Sequence, residues 1–132
     1  MVHPADPPVP PGGPEPRARF GRAHRLVRGW QYQRAFREGL SRRGQCVVAY
    51  AHVAAGEPSR VGIIASRKVG NAVLRNRTKR RLRSIARAIW PRMHPDGRQV
   101  VLIALPSAPT VDFDRLALDV TQLMQQLGVL DS

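Results

Sequence analysis

Apolar and polar positions recur with two different periods along this 132-residue chain, and the change of period marks out its elements. Between Trp30 and Leu40 the apolar residues Trp30, Ala35, Phe36 and Leu40 fall at helical spacing and Gly39 ends the run, which predicts a short amphipathic helix. Cys46 to Val53 alternates with period two and predicts a strand. Val47, Ala49, Ala51 and Val53 would point to one face, and Cys46, Val48, Tyr50 and His52 to the other. Gly56-Glu57-Pro58-Ser59 is a turn signal, so Val61 to Ser66 reads as a second strand, hairpin-paired to the first. Gly70-Asn71 breaks that run and opens a long helix from Ala72 to Trp90, stopped by Pro91. Val100 to Leu105 is continuously apolar and of strand length, hence a buried strand. Asp112 caps a last helix with Phe113, Leu116, Val120, Leu123, Met124 and Leu127 on its apolar side.

The order helix–strand–strand–helix–strand–helix predicts an α+β sandwich built on a small mixed sheet. One sheet face would lie under the two longer helices, and the first helix must then cover the other. Structure should begin near Leu26. Residues 1–19 hold seven of the twelve prolines and almost nothing to bury, so they read as a disordered tail, leaving 20–132 as one domain. A proline-rich tail can also serve as a ligand for a partner, a reading that rests on composition alone.

Charge changes the picture most. Lys and Arg number 22 against 9 acids, a formal net charge of +13, and a domain this basic ordinarily meets a polyanion. Of the cations 20 are Arg, whose planar fork matches phosphate and whose face stacks on bases. Coding bias accounts for Arg over Lys, but not for the missing acids. The lone Cys46 excludes a disulfide framework and fits an intracellular setting. No apolar run approaches the roughly 18 residues of a membrane span. Met1 to Pro16 lacks the basic-then-apolar pattern of a signal peptide.

The stretch from Ser66 to Arg87 carries nine cations and no acid. On a helical wheel with Arg75 at zero, Arg75, Asn76, Lys79, Arg80, Arg83 and Arg87 fall between 0° and roughly 140°, while Leu82, Ile85 and Ile89 cluster at roughly 280–340°. One side is core and the other a basic ridge. An ordinary solvated face mixes Glu with Lys, because like charges four apart cost about 0.2–0.5 kcal/mol each. Arg75, Lys79, Arg83 and Arg87 stack at that spacing unrelieved, and a phosphate backbone would relieve them.

The same stretch, with Ser66-Arg67-Lys68-Val69-Gly70-Asn71-Ala72-Val73, Arg75-Asn76-Arg77, Lys79-Arg80 and Arg83, resembles the signature of the bacterial ribonuclease P protein family. The resemblance runs from about Arg25 to Leu130. It implies an α+β sandwich with a left-handed crossover around the basic helix, against the usual right-handed preference. It also implies a cytoplasmic protein that works with a catalytic RNA subunit. That RNA holds the catalytic Mg2+ ions and removes the 5′ leader of precursor tRNA, so the protein alone would be inactive. By resemblance Arg75, Asn76, Arg77, Lys79, Arg80 and Arg83 would bind the RNA subunit. A cleft between the first helix and the sheet, with Tyr32, Phe36, Val48, Tyr50, Ile64, Ser66, Arg67 and Lys68, would hold the leader. Neither catalytic residues nor a metal site would lie on the protein.

The residues support a cleft on their own terms. Tyr32 and Phe36, four apart, share a helix face, and Tyr50 lies on the strand face opposite the inferred core. Phe36 and Tyr50 could instead simply pack the first helix onto the sheet, and Asn76 could cap the basic helix rather than bond RNA. Trp30 reads as a staple at the helix start. Two other functions compete. A self-sufficient ribonuclease would need a positioned acid–base pair or clustered carboxylates, yet the four histidines are scattered and Asp112 and Asp114 sit at a helix start. A ribosomal or other structural RNA-binding protein would share the basic α+β character.

Overall fold

The computed structural model describes residues 24–131. The predicted 1–19 tail and the start of the domain at residue 20 lie outside the described residues. The elements are α1 (Gly29–Glu38), β1 (Leu40–Arg43), β2 (Val47–Pro58), β3 (Arg60–Ile64), α2 (Ala72–Ile89), β4 (Asp96–Ala104) and α3 (Phe113–Gln126). Short 3-10 turns occupy Arg67–Val69, Trp90–Arg92 and Ala108–Thr110.

Local chemistry sets the helix ends. The Gln31 side chain reaches back from the first turn of α1, its Oε1 accepting from the backbone N–H of Val27 (2.8 Å) and Arg28 (2.9 Å). Asn71 caps α2 by accepting from Leu74 N–H at 3.0 Å. It follows Gly70, whose φ of 145° is closed to other residues without strain. Asp112 caps α3 by accepting from Arg115 N–H at 2.8 Å, as its spacing predicts.

The four strands order as β1-β2-β4-β3. β4 runs antiparallel to β2 and parallel to β3, so the sheet is mixed and β3–α2–β4 is a βαβ unit. The predicted hairpin between the first two long strands is therefore wrong: β4 inserts between them. β2 also continues through the predicted turn to Pro58, its register with β4 shifting between Val53 and Pro58 where Gly56 takes a positive φ. The β1 strand, Leu-Ser-Arg-Arg, is exposed at every position and shows no apolar alternation. It forms by pairing with β2, Leu40 opposite Ala51 and Arg43 opposite Val48.

The main core lies on one face of the sheet. There Val47, Ala49, Ala51, Val61, Val100, Leu102 and Ala104 meet Leu82, Ile85 and Ile89 of α2 and Leu116, Val120, Leu123 and Met124 of α3. Full burial of each large aliphatic side chain is worth about 1.5–3 kcal/mol. Three expected faces change. Cys46, assigned away from the core, is buried in it beside the start of β2. Val53, assigned to the core, is 61% exposed, and Phe113 is 42% exposed at the helix start. Buried Asp119 explains the first change. Its carboxylate accepts from the backbone N–H groups of Gln45 (3.0 Å) and Cys46 (2.9 Å), drawing that loop onto α3.

Candidate nucleic-acid interface

The second face of the sheet lies under α1 and carries a smaller cluster of Leu26, Ala35 and Val101, with Tyr32, Phe36, Tyr50, Ile64 and Ile103 packed around it. The strand register arranges this face in three rungs across β2, β4 and β3: His52–Gln99–Arg60, then Tyr50–Val101–Gly62, then Val48–Ile103–Ile64. α1 covers the middle rung, where Ala35 and Val101 are fully buried.

Two aromatic side chains on α1 meet this face differently. Tyr32 lies across β3 at Gly62. A β-carbon there would stand 2.6 Å from the ring, so only glycine lets the ring sit down. Its hydroxyl donates to the Leu26 carbonyl at 3.0 Å, and burial raises its pKa above the ordinary phenol value against a smaller opposing effect of the Ile63 backbone. Leu26 N–H in turn donates to Val61 at 3.1 Å, which ties the entering chain to the edge of β3. Phe36 meets Tyr50 edge to face, ring centroids 5.1 Å apart and planes at 71°. The two aromatics thus pack α1 onto the sheet and also remain half-exposed. The outer rung of Val48, Ile103 and Ile64 is likewise half-exposed and forms an apolar floor beside them.

That floor leads directly to the charged segment. Ile64 ends β3, and Ser66, Arg67 and Lys68 follow it, all exposed. The Ser66 hydroxyl accepts from Lys68 N–H at 3.3 Å and shapes the turn. The ridge of α2 begins one turn later. Asn76, Arg77, Arg80 and Arg87 are exposed, and Arg75, Lys79 and Arg83 are partly covered, while Leu82, Ile85 and Ile89 are buried on the opposite side. Asn76 sits inside the helix and Asn71 is the cap, so capping does not explain Asn76. Arg83 reaches the edge of β3, where it shares a cavity of about 70 Å³ with Arg25, Tyr32 and Gly62.

Arg81, which the wheel leaves outside the ridge, has a structural partner. The Arg81 guanidinium donates to the carbonyls of Val111 (2.7 Å) and Ala108 (3.4 Å), tying α2 to the loop before α3. Sequence reasoning also missed Arg34 and Glu57. They form a forked ion pair with both N–O distances at 2.9 Å, across 23 residues of sequence. No local pattern signals it. Trp30 does not staple the helix start. It is 54% exposed, with the Arg34 guanidinium 5.0 Å from its ring centre.

No three His, Cys, Asp or Glu side chains come together among the described residues. Among those residues, no helix is long and apolar enough to cross a membrane. A small α+β protein in which an acid-free basic helix follows a partly exposed apolar and aromatic sheet face has the features of a nucleic-acid-binding protein.

The family model for ribonuclease P matches residues 20–128. The chain is 38% identical over 110 residues to the ribonuclease P protein component of Symbiobacterium thermophilum, covering 83% of this chain and 95% of that protein. It is 41% identical over 96 residues to that of Kocuria rhizophila, covering 73% and 84%. Its fold resembles the ribonuclease P protein of Staphylococcus aureus, with a TM-score of 0.75 at 24% identity over 83% of this chain and all of that one. It also resembles that of Thermotoga maritima, with a TM-score of 0.68 at 29% identity over 77% and 96%. The chain belongs to the ribonuclease P protein family, whose enzyme is the endoribonuclease of tRNA 5′ maturation. The structural RNA-binding alternative is thereby set aside.

Proposed function

We propose that this chain binds the RNA subunit of ribonuclease P along the α2 ridge and the single-stranded 5′ leader of precursor tRNA in the cleft under α1. The observation that carries the reading is continuity. Ile64, on the partly exposed floor with Val48 and Ile103, ends β3, and the exposed Ser66-Arg67-Lys68 and then the ridge helix α2 follow it directly in the chain. Bases can stack on Phe36, Tyr50 and the apolar floor. Such stacking tolerates any sequence, as a leader that varies between precursors requires. Arg67 offers a fork and Lys68 a point charge to the phosphates that follow. Arg75, Arg77, Lys79, Arg80 and Arg83 bind the folded RNA, and Asn76 supplies amide hydrogen bonds within that row. We assign the Mg2+ ions and the chemistry to the RNA subunit, as the family resemblance implies. The setting is the cytoplasm.

Cleavage of precursor tRNA at low Mg2+, with and without the RNA subunit, tests this. Stimulation of the RNA and no cleavage by the protein alone are expected, and cleavage by the protein alone would overturn the reading. Tyr50→Ala and Phe36→Ala should weaken binding of precursor more than mature tRNA, each by about 1–3 kcal/mol per lost stacked base. Equal losses for both ligands would reduce these rings to packing.

A further inference from the structure

The forked pair of Arg34 and Glu57 lies on the far side of α1 from the cleft, and its placement has a mechanical effect. At about 100° per residue, Tyr32 and Phe36 project about 80–120° to one side of the buried line of Gln31 and Ala35, and Arg34 projects about 80° to the other. Only Gln31 and Ala35 are buried along this helix, so its rotation about its own axis is set by its flanks. On the cleft flank stand Tyr32, held by Leu26 and Gly62, and Phe36, held by Tyr50. On the other flank stands Arg34, whose Nη1 and Nη2 each donate to one Glu57 oxygen at 2.9 Å.

Glu57 is itself fixed. It lies near the end of β2 and also meets Arg60 Nη1 at 3.5 Å, at the first residue of β3. The pair is partly shielded, its side chains 17% and 33% exposed, and the neighbouring guanidinium holds the Glu57 carboxyl below its ordinary range. A forked guanidinium–carboxylate contact fixes direction as well as distance. The guanidinium also lies over the Trp30 ring, 5.0 Å from its centre.

We propose that Arg34 and Glu57 are positioning residues for the 5′ leader: their pair sets the roll of α1 and thereby the height of Phe36 over Tyr50 and the floor. The inference rests on the cleft reading given above. It adds that leader binding depends on a contact which touches no RNA. Without the clamp, α1 is held on its cleft flank alone and can roll over Ala35, and the Phe36 ring no longer holds one place over the floor.

The test uses the holoenzyme reconstituted with the RNA subunit, with precursor and mature tRNA as ligands. Arg34→Ala and Glu57→Ala should each lower the preference for precursor roughly fivefold, at the low end of one stacked base. Mature tRNA binding and assembly with the RNA subunit should not change. The double variant should lose no more than either single one, since one contact is removed in all three. KM for precursor should rise with kcat unchanged, a split that a general loss of stability would not produce. Arg34→Lys keeps the stem and charge but not the fork, and should show an intermediate loss even if the alanine variants fold poorly. An intact precursor preference in Arg34→Lys and Glu57→Ala, with Phe36→Ala still impaired, would overturn the clamp alone. If Phe36→Ala also leaves the preference intact, the cleft reading falls and the positioning role with it.

Discussion

Arg80 and Arg81 are adjacent on one helix, carry the same charge, and should behave in opposite ways when each is replaced by alanine. Arg80 is exposed on the ridge, with no partner among the described residues. If it meets a phosphate, its loss removes one neutralised charge, and the slope of log affinity against log salt falls by about 0.7–0.9. Between 50 and 200 mM salt, a fourfold change, the variant should therefore lose roughly threefold less affinity than the parent. Its unfolding temperature should not move. Arg81 instead spends its guanidinium on the carbonyls of Val111 at 2.7 Å and Ala108 at 3.4 Å. A hydrogen bond to a charged group is worth about 1.5–3 kcal/mol net, and the longer contact adds little, so about 2 kcal/mol is at stake. For a domain of about 100 residues that lowers the unfolding midpoint by roughly 10 °C. Filter binding to the RNA subunit across a salt series, paired with thermal unfolding of the free protein, reads both. A flat slope change for Arg80→Ala would mean that the ridge is merely solvated. An equal slope change for the two variants would mean that Arg81 leaves its carbonyls on binding.

Two further outcomes follow from the fold. Asp119→Ala strands the buried N–H of Cys46 and the part-buried N–H of Gln45, and should lower stability by about 2–4 kcal/mol in denaturant unfolding. A change under about 0.5 kcal/mol would show that water replaces the carboxylate. His52 faces Arg34, Glu38 and Glu57. Burial first, and the Arg34 charge second, lower its pKa against the weaker pull of the two glutamates. The unfolded chain thus takes up a proton near pH 6.5 that the folded chain refuses until lower pH, so this contribution to stability is full above about pH 6.5 and falls away below it. His52→Phe should flatten the pH dependence of the unfolding midpoint between about pH 7 and 5, and an unaltered profile would refute the assignment.

What could be read in the sequence was what depends on near neighbours. The wheel separating Leu82, Ile85 and Ile89 from the Arg75–Arg87 ridge describes α2 as it stands, and the apolar run around Val100–Ala104 is one of the two inner strands. Strand partners were not legible. A strand buried on both faces looks the same whichever neighbours it has, and local pairing favoured a hairpin that β4 in fact divides. β1 was invisible because all four of its side chains are exposed, leaving no alternation. The cleft aromatics were legible because Tyr32 and Phe36 lie one turn apart on a helix. The clamp behind them was not, since Arg34 and Glu57 meet only through the tertiary fold. The wheel leaves Arg81 off the ridge that holds Arg80, but it does not show what Arg81 binds instead. Which cation serves the fold and which the ligand is decided by two carbonyls 27 and 30 residues away.

The strand order also governs how the chain comes together in time. β2 and β3 are made early and are nearly contiguous in sequence, yet neither pairs with the other, because each waits for β4 at Asp96–Ala104. A chain released from its N-terminus can therefore pair β1 with β2, but the inner edge of β2 and the whole of β3 stay unpaired until β4 follows α2. Both sheet faces are complete only once β4 stands between β2 and β3. The cationic helix α2 thus precedes in the chain the strand that completes the surface on which it packs.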